Sequence, residues 1–137
     1  MKNNFLILNN KQDKYEILAY DQTFPCQIGS NGVISSKQKK EGDLSTPKGK
    51  WFLTSVFFRE DRVDLKSLLP NMHLEMNKIT RDCGWCNDPT NENYNRYIKI
   101  KKKNNFSFEK LWREDNAYDI FVNLDYNQSP ILKEKGS

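Results

Sequence analysis

Short alternating runs of apolar and aromatic side chains, each closed by turn-forming residues, constrain this chain more than any other feature. Three such runs, 5–8, 15–20 and 24–28, lie within the first 28 residues, with Asn9-Asn10-Lys11-Gln12-Asp13 joining the first two. A period of two puts successive side chains on opposite faces of a sheet, and Asn and Asp favour tight reversals. The opening therefore reads as an antiparallel meander. Residues 50–58, Lys-Trp-Phe-Leu-Thr-Ser-Val-Phe-Phe, form the strongest strand signal, unbroken by Gly or Pro. Residues 97–101 give another short strand. Tyr118, Ile120, Val122, Leu124 and Tyr126 alternate with Asp119, Phe121, Asn123 and Asp125, so the first set is expected to face a core and the second to face water. Helical spacing occurs at Phe108, Leu111 and Trp112, a single turn with Ser107 as its N-cap. The expectation is a mainly β fold with one short helix.

Two stretches resist this pattern. Residues 29–50 hold Gly29, Gly32, Gly42, Gly49 and Pro47 and read as one long loop or a pair of loops. Residues 59–96 lack periodicity and read as a long irregular insert, a kind of excursion that in compact domains usually carries function. At 137 residues the whole chain, 1–137, fits one domain. Lys and Arg number 22 against 18 Asp and Glu, a net charge of +4, which tolerates an anionic partner without demanding one. The lysines at 37–40 and 101–103 read as solvated loop residues, and no nucleic-acid partner is expected. No apolar run approaches the roughly 18 residues of a transmembrane helix. The run 5–8 is also shorter than the roughly 7–15 residues of a secretory signal core.

Three cysteines cannot all pair. Cys83-Gly84-Trp85-Cys86 has spacing that suits half of a zinc site or a dithiol redox pair. A redox pair wants a helix starting at its first cysteine to lower the thiol pKa, but Asn87-Asp88-Pro89 follows. Zinc wants four ligands, and only Cys26 and the single histidine, His73, remain. An incidental or packed thiol pair is the expected reading, His73 is expected to be structural, and no metal or cofactor is expected. Gly29-Ser30-Asn31-Gly32 does not match a phosphate-cradling loop.

Two longer constellations combine rarer residues. The first runs Cys26-Gln27-Ile28-Gly29 and then, from Lys40, Glu41-Gly42-Asp43-Leu44-Ser45-Thr46-Pro47-Lys48-Gly49-Lys50-Trp51-Phe52-Leu53. Glycines on both sides of Thr46-Pro47 give a tight loop that launches a strand. The second runs Asp82-Cys83-Gly84-Trp85-Cys86-Asn87-Asp88-Pro89, then Tyr94-Asn95-Arg96, then Glu109-Lys110-Leu111-Trp112, then Tyr118-Asp119. A buried indole and a turn-capping Asp88 would pin an otherwise loose excursion.

At these residues the chain resembles the L,D-transpeptidase catalytic domain (YkuD-like) family of bacterial cell-wall enzymes, over most of residues 24–137. The matching motifs are E-G-D-x-x-T-P-x-G before a strand and G-W-C-x-D-P…Y-N…L-W…Y-D; Asn87 stands where an acidic residue is usual. The resemblance implies packed antiparallel sheets, a cysteine nucleophile activated by histidine, acyl transfer from peptidoglycan stem peptides, and no cofactor. It also implies work in the periplasm or cell envelope, although no export signal is visible. In the family, the histidine and an [ST]-x-G-C nucleophile motif follow the segment equivalent to Gly136-Ser137. Cys26, Cys83, Cys86 and His73 do not match them, so no residue of this sequence takes a catalytic role. The expectation is the amino-terminal part of such a domain, incomplete at its C-terminus and without transpeptidase activity of its own. The alternative is a non-catalytic peptidoglycan-binding module that uses the loops around Thr46-Pro47 and Trp85.

Overall fold

The computed structural model describes residues 7–11 by their backbone and residues 14–19, 21–71 and 73–136 with their side chains. The chain divides into two compact units, Met1–Gly49 and Lys50–Ser137.

In the first unit, β1 (Ile7–Lys11), β2 (Lys14–Ala19) and β3 (Gln22–Cys26) form an antiparallel sheet in the order β1-β2-β3. The meander expected from the alternation is present; Phe5, Leu6 and Tyr20 lie outside the described residues. Asp21 makes the β2 to β3 reversal at φ 61°, a left-handed conformation that Asp tolerates better than most residues. The glycine-rich stretch is not wholly loop. β4 (Val33–Ser35) and β5 (Thr46–Lys48) pair in parallel within it, with Ile34 opposite Pro47.

The second unit holds two three-stranded sheets. In one, β6 (Leu53–Phe58) lies between β11 (Ile120–Leu124), antiparallel to it, and β7 (Glu75–Lys78), parallel to it. In the other, β8 (Cys83–Cys86) lies between β10 (Phe108–Lys110) and β9 (Arg96–Lys99), all antiparallel. Both faces of β6 are covered, so its last four residues are all buried. On one side Phe57 joins Ile79, Cys83, Trp85 and Leu111; on the other Val56 and Phe58 pack on Leu65. Burying side chains of this size contributes about 1.5–3 kcal/mol each, which makes β6 the strand both layers share.

The fold is mainly β with antiparallel sheets and one short helix, but three elements fall elsewhere than expected. Residues 108–113 are not helical. Phe108 sits opposite Cys86 and Lys110 opposite Gly84, and Leu111 N–H donates to the Cys83 carbonyl at 3.0 Å. One turn of helical spacing cannot offset helix nucleation when a sheet edge offers backbone partners. The helix is instead α1 (Leu65–Leu68), where Asp64 accepts from Ser67 N–H and Leu65 is 3% exposed. Residues 59–96 thus contain α1, β7, β8 and the start of β9 rather than an irregular insert. Their apolar residues pack into two different layers, which erases any single periodicity.

The faces of β11 are also reversed. Phe121 pairs with Phe57 and meets the rings of Trp85 and Tyr118 at 5.4 and 5.7 Å between centroids. Ile120, Val122 and Leu124, expected inside, are 45%, 39% and 37% exposed. One aromatic ring packed among three others outweighs three aliphatic side chains in fixing register. No helix among the described residues is long and apolar enough to cross a membrane.

Candidate functional site: two motif scaffolds and a polar cleft

The first constellation folds on Asp43. Its carboxylate accepts from Lys40 N–H at 2.7 Å and Ser45 N–H at 2.9 Å and pairs with Lys39 Nζ at 2.8 Å. Thr46 Oγ1 accepts from Gly29 N–H at 2.9 Å, and Asn31 N–H donates to the Leu44 carbonyl at 3.0 Å. Gly42 supplies a turn at φ 71° that a side chain would strain. Of the lysines read as solvated, Lys39 is 7% exposed and ion-paired, while residues 101–103 are exposed.

The Lys39 hydrogen bond, then the backbone N–H of Lys40, hold the Asp43 carboxyl at about 2 against the pull of burial. A carboxyl depressed in the folded state stabilises above its unfolded pKa and loses that contribution as pH falls through the folded one. The loop at residues 39–46 is therefore expected to open between about pH 4 and pH 2. The amide resonances of Lys40 and Ser45 should shift together across that window; shifts centred on pH 6 would contradict it.

The second constellation is built on Asn95. Its side chain accepts from Trp85 Nε1–H at 3.1 Å and donates to the Asn127 carbonyl at 2.8 Å. Its own N–H donates to the Cys86 carbonyl at 2.8 Å, and its carbonyl accepts from Gln128 Nε2 at 3.0 Å. Asn95 is 2% exposed and adopts φ 56°. One residue thereby ties β8 to the segment after β11. Asp88 accepts from the N–H and hydroxyl of Thr90, the turn cap expected of it, and Asn87 accepts from Ser107 Oγ at 2.7 Å. Tyr118 donates to Glu109 at 2.7 Å, and Asp119 pairs with Arg62 at 2.8 Å.

One partner of this constellation was not legible in the sequence. Arg59 lies 3.5 Å over the Trp112 ring, is forked onto Asp61 at 2.7 and 2.8 Å, and donates to the Arg113 carbonyl. A cation two residues before a carboxylate at the end of the strongest strand was the available signal.

The thiols divide by strand geometry. Cys83 and Cys86 lie three residues apart on β8, which points their side chains to opposite faces and separates their Cα atoms by about 10 Å, beyond disulfide reach. Both are buried and free. Burial pushes the Cys83 thiol up, but it is outweighed by hydrogen bonds from the Thr80 hydroxyl, Tyr97 and the Thr80 N–H and by the charge of Lys99, so the thiol lies below its usual range. The contacts are 3.1 Å to Thr80 N and Oγ1, 3.2 Å to Tyr97 and 3.7 Å to Lys99. His73 is exposed between α1 and β7 and takes no part in these contacts.

A lowered thiol would ordinarily be nucleophilic, yet Cys83 is 0% exposed. Native labelling with a dithiobenzoate reagent should modify Cys26, which is half-buried, and spare Cys83 and Cys86 until the fold opens. Labelling of Cys83 as fast as Cys26 would contradict this burial. Among the described residues no group of three or more His, Cys, Asp and Glu side chains could hold a metal ion.

Beside the Tyr94-Asn95-Arg96 segment lies a cleft of about 410 Å³, walled by that segment and by residues 128–133. Tyr94, 1% exposed, forms its buried side. Arg96, Lys133 and Glu92 line its rim. The Asn95 bonds to Asn127 and Gln128 hold the two walls together. No family model, curated protein or solved structure matches this chain. The functional reading therefore rests on the residues and their geometry.

Proposed function

We propose that this chain is an L,D-transpeptidase-like protein of peptidoglycan cross-linking and cell-wall biogenesis. The observation that supports the reading is that each of the two resembling motifs is held by hydrogen bonds within its own unit. Gly29, Asp43 and Thr46 knit one loop, and Trp85, Asn95 and Gln128 knit the other. Residues selected together for one architecture are expected to interlock in this way. In this reading the chain supplies the framework for acyl transfer through a cysteine thioester, and none of Cys26, Cys83, Cys86 or His73 is the nucleophile or base. Peptidoglycan stem peptides would be the substrates and the cell envelope the place of action.

The test is the coding sequence after codon 137. The reading expects a histidine followed by an [ST]-x-G-C motif in the same frame or in a shifted one. An extension without either would remove the transpeptidase reading.

A further inference from the structure

The polar cleft has a donor and acceptor pattern that specifies what it takes. Asn91 Oδ1 is engaged by Asn93 N–H at 2.9 Å and Asn93 Nδ2 at 3.2 Å, and Asn91 Nδ2 meets no acceptor among the described residues. Gln128 Nε2 is engaged by the Asn95 carbonyl at 3.0 Å, and Gln128 Oε1 meets no donor among the described residues. One donor and one acceptor on facing walls complement the C=O and N–H of a peptide unit. Arg96 and Lys133 line the same cleft; neither lies within 4.0 Å of a carboxylate among the described residues, although the charge of Lys133 helps to lower the Asp88 carboxyl. An Arg fork matches a carboxylate in two parallel bonds, and a second cation beside it adds charge without geometry.

We propose that this cleft binds the carboxylate end of a short peptide, with Arg96 and Lys133 on the carboxylate and Asn91 and Gln128 on the preceding peptide unit. Glu92, on the same rim, opposes a dianion more strongly than a monoanion, which favours carboxylate over phosphate. The volume of about 410 Å³ lies within the range of small-ligand sites and admits a few residues. This inference stands on the cleft itself and does not require the transpeptidase reading.

The test is a two-dimensional NMR titration of the full chain with acetyl-Ala-Ala-Ala bearing a free carboxylate, with the same peptide amidated, and with inorganic phosphate. The acid should saturate with a Kd near 1 mM and shift the Arg96 and Gln128 resonances, with affinity falling as salt rises. The amide and phosphate should each bind at least about tenfold more weakly. Arg96→Gln and Lys133→Gln should each weaken the acid by about fivefold or more, while Lys102→Gln, an exposed cation outside the cleft, should change nothing. Equal binding of acid and amide, tighter binding of phosphate, or no saturation by about 10 mM acid would each overturn the proposal.

Discussion

Asn95→Ala is expected to lower the stability of the second unit by about 3–5 kcal/mol, enough to consume much of the reserve of an ordinary domain. The substitution strands the buried Trp85 indole N–H and the half-buried Asn127 carbonyl, which Asn95 meets at 3.1 and 2.8 Å; a buried group left unpaired costs about 1–3 kcal/mol, and the carbonyl less because water reaches it. It also places an alanine at φ 56°, which adds about 1 kcal/mol. Asn95→Gly separates the two effects, because it relieves the backbone and still loses the hydrogen bonds. Urea unfolding followed by tryptophan fluorescence should rank wild type above Asn95→Gly and Asn95→Gly above Asn95→Ala. A loss below about 1 kcal/mol for the alanine variant would mean that water replaces the side chain and that the network does not organise the segment.

Gly29→Ala should have a comparable effect on the first unit, by steric means. A Cβ there would stand 2.3 Å from the Leu44 oxygen, 2.8 Å from its carbonyl carbon and 2.9 Å from the Ser45 carbon, all backbone atoms. Leu44 already sits at φ 54° and cannot retreat freely. Overpacking of this kind costs about 1–3 kcal/mol, and pushing residues 44–45 away also breaks the Gly29 to Thr46 bond. Gly32→Ala is the contrasting variant. Nothing lies within 4 Å of a Cβ there, but φ is 80°, so its cost is about 1 kcal/mol and purely conformational. Hydrogen exchange at the Gly29, Asn31 and Thr46 amides should accelerate strongly in Gly29→Ala and weakly in Gly32→Ala. The reverse order would contradict the close approach.

What could be read from the residues followed from whether one face or two had to be satisfied. Residues 15–19 and 53–58 are rich in aliphatic and aromatic residues and contain no Gly or Pro, and both are strands because local propensity and packing agree. Residues 59–96 serve two layers, so Leu65, Ile79 and Trp85 fall at spacings set by tertiary contacts and not by one period. Phe108, Leu111 and Trp112 mimic a helical turn because Phe108 ends up in β10 and Leu111 beyond it, on β8. Ile120, Val122 and Leu124 outnumber Phe121 in the last strand, yet the register follows the one ring that Phe57, Trp85 and Tyr118 enclose.

The site divides in the same way. Asp43, Thr46, Trp85 and Asp88 stood out in the sequence because rare residue types clustered there. The bonding of Asn95, the stacking of Arg59 on Trp112 and the cradle of Cys83 did not, since their partners lie up to 54 residues away in the chain. The cleft is of that second kind too, joining residues 91–96 to 128–133.

The central claim is that these residues build a framework while none of their three thiols attacks an acyl group. Intact-mass spectrometry of the purified chain, incubated with a stem-peptide donor and quenched in acid, tests it directly. The unmodified mass alone is expected. A mass increase equal to the donor peptide less its leaving amino acid, mapped by proteolysis to Cys26, Cys83 or Cys86, would contradict it.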